Sequence, residues 1–127
     1  MEQYLIDTNS VCDYFSSSFS EVGMQFMDTI LDAIPNLSII TQIELLCWKT
    51  TPFIEQKVNE FIADSTVLNI NADVIKYCVS LRKSKKNKVP DAIIAATALT
   101  YDYTLITNNE KDFSNIEGLR ILNPAKL

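Results

Sequence analysis

The sequence predicts an α/β domain built on a five-stranded, mainly parallel sheet. Short apolar runs recur along the chain, each bounded by turn or helix-capping residues. Helical patterns lie between consecutive runs, as parallel strands require. The length of 127 residues, 47% of them hydrophobic, is that of one ordinary domain with a real core, spanning residues 1–127.

The elements follow in order. Tyr4-Leu5-Ile6 reads as a buried strand, and Asp7-Thr8-Asn9-Ser10 turns it into a helix over about Ser10 to Phe15. Ser20 is a fair N-cap for a helix carrying Val22, Phe26, Ile30 and Ile34 and stopped by Pro35-Asn36. Leu37 to Ile40 is a second strand, and Thr41-Gln42-Ile43-Glu44 has the spacing of a capping box that opens a helix through about Trp48. Thr51-Pro52 starts the next helix, with Phe53, Val58, Phe61 and Ile62 on its apolar face. Val67 to Ile70 is a third strand, and Asn71-Ala72-Asp73 opens a helix that runs into a basic segment. Val89-Pro90-Asp91 opens an alanine-rich helix to about Tyr101, with proline at the favoured first position. Thr104 to Thr107 and Leu119 to Leu122 are the fourth and fifth strands, separated by the polar loop Asn108 to Asp112.

Composition narrows the chemistry. With no histidine, a Ser-His-Asp or Cys-His nucleophile pair, a His-ligated zinc and a His general base are all excluded. Cys12, Cys47 and Cys78 are odd in number and far apart, so they read as reduced, buried thiols in a cytoplasmic protein. Neither Gly23 nor Gly118 belongs to a glycine-rich phosphate loop. No signal peptide or membrane span is apparent. The net charge of −5 supplies no global attraction for nucleic acid, yet Arg82, Lys83, Lys85, Lys86 and Lys88 crowd into one short segment.

The acids carry the functional expectation. Ligands of open parallel sheets sit outside the carboxyl ends of the strands, which makes Asp7, Thr41–Glu44 and Thr107–Asp112 expected neighbours. Taken singly, each acid has an ordinary explanation as a cap, a turn residue or a solvated loop acid. Asp91, Ala95, Ala98 and Leu99 share one helix face, so the small residues allow close packing that carries Asp91 to the same rim. Carboxylates brought that close repel unless a cation intervenes, and a hard divalent ion with oxygen ligands relieves the cost.

Four segments, in order and in register, resemble the PIN-domain family, and most of all its VapC-type toxins. They are Leu5-Ile6-Asp7-Thr8-Asn9, Ile40-Thr41-Gln42-Ile43-Glu44-Leu45, the stretch from Val89-Pro90-Asp91 to Leu99, and Leu105 to Phe113. The resemblance implies a three-layer α/β/α fold and an endoribonuclease dependent on Mg²⁺ or Mn²⁺. Asp7, Glu44 and Asp91 match the family's three acids, with Asp7 and Asp91 expected to bind the ion directly. Its fourth position falls on Asn109 or Asp112. Thr8, Asn9 and Thr107 are expected to orient ligands or water. Position 108, often basic in the family, is Asn here. The ion is expected to lower the pKa of a bound water, with Glu44 or Asp112 accepting its proton. Arg82, Lys83, Lys85, Lys86 and Lys88 are the expected contacts to RNA phosphates, whether of tRNA, rRNA or mRNA. The family also implies a cognate antitoxin and a homodimer.

Two readings compete: a non-catalytic module binding RNA or protein on the same fold, and a nuclease of RNA processing with no toxin role. A response-regulator receiver fits poorly, because Asn69-Ile70-Asn71 replaces its phosphorylatable Asp.

Overall fold

The computed structural model describes residues 2–84 and 87–127. Strands β1 (Tyr4–Ile6), β2 (Asn36–Ser38), β3 (Thr66–Leu68), β4 (Thr104–Ile106) and β5 (Ile121–Leu122) form one sheet in the order β3-β2-β1-β4-β5. All four pairings are parallel, as expected. Successive side chains of a strand point to opposite faces. Leu5 and Leu105 therefore enter one core and Ile6 and Ile106 the other, all four with no exposed surface.

The helices divide accordingly. α1 (Thr8–Phe15), α2 (Glu21–Asp32), α3 (Ile39–Cys47) and α4 (Pro52–Asp64) contribute Val11, Met27, Ile30, Leu45, Val58 and Phe61 to the core around Ile6 and Ile106. α5 (Ala72–Ser84), α6 (Val89–Tyr101) and α7 (Glu110–Phe113) contribute Val74, Leu81, Ile94, Ala95, Ala98 and Phe113 to the core around Leu5 and Leu105. The alanines of α6 are fully buried, as the small-residue face predicts.

Several local expectations need correction. The capping box does not form: α3 begins at Ile39, capped by the Ser38 hydroxyl accepting from the Ile40 amide, so Thr41 and Glu44 lie inside the helix. β2 ends at Ser38, and β3 and β5 are shorter than the apolar runs suggest. The 108–112 loop holds α7, a single turn. In α2 the buried stripe is Gly23, Met27 and Ile30, whereas Val22 faces solvent and Ile34 lies exposed beyond the helix end at Asp32. Phe53 is exposed, with the Lys57 ammonium 5.5 Å from its ring centre. The thiols are not buried: Cys47 is exposed on the outer side of α3 beside exposed Ile43 and Leu46, and Cys12 and Cys78 are half-buried.

Gly23 has a packing reason. After β5 the chain turns into a 3₁₀ segment, Pro124–Lys126, that lies on α2. A Cβ at position 23 would stand 2.7 Å from the Pro124 carbonyl oxygen and 3.0 Å from the Phe19 Cβ. Helix propensity alone would favour Gly23→Ala by about 1 kcal/mol. The expected outcome is instead a loss of roughly 1–3 kcal/mol in urea unfolding, because the backbone must shift. A stabilised variant would contradict this packing.

Candidate active site

The sheet order places a switch point at β1, whose neighbours β2 and β4 lead the chain away in opposite directions. Asp7 leaves β1 at that point and caps α1. Its backbone N–H donates to the Ile106 carbonyl at 2.8 Å, and its side chain accepts from the Thr8 amide at 2.8 Å. The Thr107 hydroxyl, at the exit of β4, donates to the other carboxylate oxygen at 2.8 Å and accepts from the Asn109 amide at 3.0 Å. Asp7 is only 4% exposed.

Glu44 approaches from α3. The Thr8 hydroxyl donates to its Oε1 at 2.6 Å and lies 3.2 Å from the Thr41 hydroxyl. Asp91 stands half-buried in the first turn of α6, where the helix dipole favours a carboxylate. Asn109 and Asp112 are bonded to each other, the Asn109 amide donating to the Asp112 carboxylate. The Asn87 amide holds the Asp112 backbone carbonyl at 3.0 Å.

Electrostatics ties these acids together. Burial pushes the Asp7 carboxyl up to about 6, and the charges of Asp91 and Glu44 add to the rise. The hydrogen bonds from Thr107 and Thr8 oppose it. Asp91 is also raised, by burial first and then by Asp112 and Glu44, with Lys88 opposing. The half-buried Cys12 thiol rises to about 11 through burial, with Asp13, Glu44 and Asp7 contributing. Among the described residues, none of Asp7, Glu44, Asp91 and Asp112 forms a salt bridge.

The donors fit a hard divalent cation: carboxylate, hydroxyl and amide oxygens, with no imidazole available. Among the described residues, no three carboxylate or thiol groups converge as a ready-made direct ligand set.

The remaining expected residues are placed as follows. Asn9 is exposed and takes no part in these contacts. Asn108 donates to the Asp13 carboxylate. Lys88 precedes α6 next to Asp91, while Arg82 and Lys83 lie exposed at the end of α5, where Arg82 donates to the Asn87 carbonyl. Lys85 and Lys86 lie outside the described residues. A cleft of about 300 Å³ beside Asp91 and Asp112 is lined by Asn87, Lys88 and Lys111. The sequence placed Thr41 and Lys111 only within the segments expected at the rim and gave neither a role, and nothing local in it marks Asn87.

The PIN domain family model matches residues 4–119, and the chain belongs to that family. It is similar over 96% of its length to a chain covered at 98% in a toxin–antitoxin complex from Klebsiella pneumoniae, with 34% identity and a TM-score of 0.74. A chain of DNA-bound VapBC from Salmonella typhimurium shares the fold, with a TM-score of 0.78, 24% identity, and 98% and 99% of the two chains covered. Ribonuclease VapC1 of Rickettsia felis is 56% identical over 32 residues, a match to 25% of this chain and 24% of that protein. Among the described residues, no helix is long and apolar enough to cross a membrane.

The raised Asp7 carboxyl sets a pH dependence. Between its ordinary value of 3.8 and about 6, the folded protein keeps a proton that the unfolded chain has lost. Stability of the metal-free protein therefore falls as pH rises through that window and stays reduced above it. Asp7→Asn retains the helix cap and removes this term. In EDTA, denaturant unfolding from pH 4 to 7 should cost the wild type on the order of 2–3 kcal/mol more than the variant. Parallel pH profiles would contradict the assignment.

Proposed function

We propose that this PIN domain is a divalent-metal-dependent endoribonuclease of VapC type, the toxin of a toxin–antitoxin pair. The observation that carries the reading is the set of mutually repelling carboxylates, Asp7, Glu44, Asp91 and Asp112, at the switch point of the sheet, without salt-bridge partners among the described residues. The likeness to a toxin–antitoxin complex and to a ribonuclease VapC supports the biological role. An antitoxin protein is then the natural partner and a homodimer the assembly.

Asp7 and Asp91 are the residues that would hold Mg²⁺ or Mn²⁺ directly, with Glu44 and the Asn109–Asp112 pair completing the site. A bound divalent ion supplies an activated water and neutralises charge developing on the phosphodiester. Thr107 and the Thr8 amide fix both oxygens of Asp7, so the carboxylate would be oriented in advance for a cation. Thr8 occupies one oxygen of Glu44, and the other oxygen would be the one to accept a proton from a water activated at the site. Lys88 and Lys111 border the adjoining cleft, placed to hold an RNA phosphate beside the acids.

The test is cleavage of a mixed tRNA and rRNA pool by purified, antitoxin-free protein with Mg²⁺, Mn²⁺ or EDTA. EDTA should abolish cutting, and Asp7→Asn and Asp91→Asn should each reduce it by more than about a hundredfold. Thr107→Val, which removes the hydroxyl bonded to both the Asp7 carboxylate and the Asn109 amide, should cost about 10–100-fold. Mg²⁺ should also raise the melting temperature of the wild type but not of Asp7→Asn, a readout independent of turnover. Cutting that survives in both Asp variants overturns the mechanism. A folded protein that cuts with neither metal favours a binding module.

A further inference from the structure

A single helical turn carries part of the acid site, and a turn that short cannot hold its own place. α7 has four residues, among them Asp112, which is bonded to Asn109 and lines the cleft beside Asp91. Its neighbours anchor it. The Asn109 amide donates to the Thr107 hydroxyl, the Asn87 amide holds the Asp112 carbonyl, and Phe113 is buried in the core around Leu5 and Leu105. The remaining anchor is Glu110. Its Oε2 accepts from the Asn123 amide at 3.1 Å and pairs with the Lys126 ammonium at 2.6 Å.

The far side of this contact is itself well fixed. Asn123 caps the 3₁₀ segment, its side-chain oxygen accepting from the Ala125 amide at 2.9 Å, and Pro124 is buried. The segment lies on α2, where the missing Cβ of Gly23 makes room for the Pro124 carbonyl. The Ser20 hydroxyl, capping α2, donates to the Leu127 carbonyl at 2.9 Å. α2 belongs to the core around Ile6 and Ile106, whereas Phe113 belongs to the other. Glu110 therefore ties α7 to the opposite layer, the one that carries Asp7 and Glu44.

Glu110 and Asp112 are two residues apart, so they leave the turn on nearly opposite sides. Asp112 reaches the cleft while Glu110 meets the 3₁₀ segment. Glu110 thus differs from Asp7, Glu44, Asp91 and Asp112, which form no salt bridge among the described residues. Its ion pair is exposed, Lys126 by 70% and Glu110 by 40%, and such pairs add little to global stability. Placement is another matter, since misplacing a catalytic group by about 1 Å can cost on the order of a hundredfold in rate.

We infer that Glu110 is a positioning residue of the acid site: held by Asn123 and Lys126, it sets where α7 places Asn109 and Asp112 against Asp7 and Asp91. This role rests on the metal-dependent reading and adds to it a residue that touches neither substrate nor ion.

The experiment uses the full chain and measures Mn²⁺ affinity by electron paramagnetic resonance with the metal alone, steady-state cleavage of one RNA from the pool, and melting temperature in EDTA. Glu110→Ala should weaken Mn²⁺ binding about tenfold and lower kcat by a similar factor while KM holds, the lower end of what losing a supporting contact costs. Its melting temperature should stay within about 3 °C of the wild type, as loss of an exposed pair allows. Glu110→Gln, which still offers an oxygen to both donors, should recover most of the loss. Lys126→Ala should lose less than Glu110→Ala, because Asn123 still holds Glu110. Unchanged Mn²⁺ affinity and kcat in Glu110→Ala overturn the role. A Gln variant no better than the Ala variant assigns the effect to charge, and a melting temperature lower by more than about 10 °C assigns it to folding; either also overturns it. A wild type that binds no Mn²⁺ removes this role and the metal reading together. A wild type that binds Mn²⁺ but cuts no RNA removes the nuclease reading alone, and the Mn²⁺ affinities of the variants then decide for Glu110.

Discussion

The carboxylate of Asp7 is the constraint on which the site depends. It lies almost fully buried at the end of the central strand, where ionisation is costly unless donors and cations compensate. Only a strand flanked on both sides by parallel neighbours can hold it there. β4 brings Thr107, a hundred residues away, to one oxygen, and the start of α1 brings the Thr8 amide to the other. The Thr107 hydroxyl is fixed in turn by the Asn109 amide, so α7 takes its position from the same bond network that secures Asp7. These contacts orient the carboxylate but do not cancel the repulsion of Asp91 and Glu44, and its pKa stays high. A protein selected only for stability would not be expected to keep such an arrangement, which is the kind of strain that marks a functional site.

The fold was legible because its signals are local. β1 and β4 centre on the buried apolar residues Leu5, Ile6, Leu105 and Ile106, and Ser20, Thr51 and Asn71 are caps whose side chains bond where the sequence suggests. Legibility failed where a local signal had two solutions. Ser38 and Thr41 are both sound caps for α3, and the choice is settled by a non-local contact, since Thr41 is buried against the Thr8 hydroxyl. Apolar spacing likewise cannot say which side of a helix meets the core. Val22, Phe53 and Cys47 fit an apolar pattern yet remain exposed, because burial on their helices goes to Gly23 and Met27, to Val58 and Phe61, and to Leu45.

The site was legible in outline for a different reason. Acids that directly follow parallel strands must share one rim, whatever the loops do. Asn109 and Asp112 stood as alternatives in the sequence because three residues in a loop define no geometry. The single turn of α7 bonds one to the other, so they act as a pair. Asn87 carries no marking in the sequence and Lys111 only its place in the 107–112 segment; their position at the cleft comes from the docking of α7 against the start of α6.

The four acids come from two layers. Asp7, at the end of β1, caps α1, and Glu44 lies in α3, both on the core around Ile6 and Ile106, whereas Asp91 and Asp112 belong to helices packed on Leu5 and Leu105. Each layer thus supplies a pair, and the pairs face each other across the carboxyl edge of the sheet. This division explains how the acids raise one another's pKa although no three of them, among the described residues, converge as direct ligands. On the proposed reading, a cation drawn to this edge is shared between the layers, and its affinity depends on how closely α6 packs against the sheet. The unbroken run of buried small residues from Ala95 to Ala98 then has a functional reason. A bulkier side chain there would push Asp91 away from Asp7 and weaken the site without touching any residue in it.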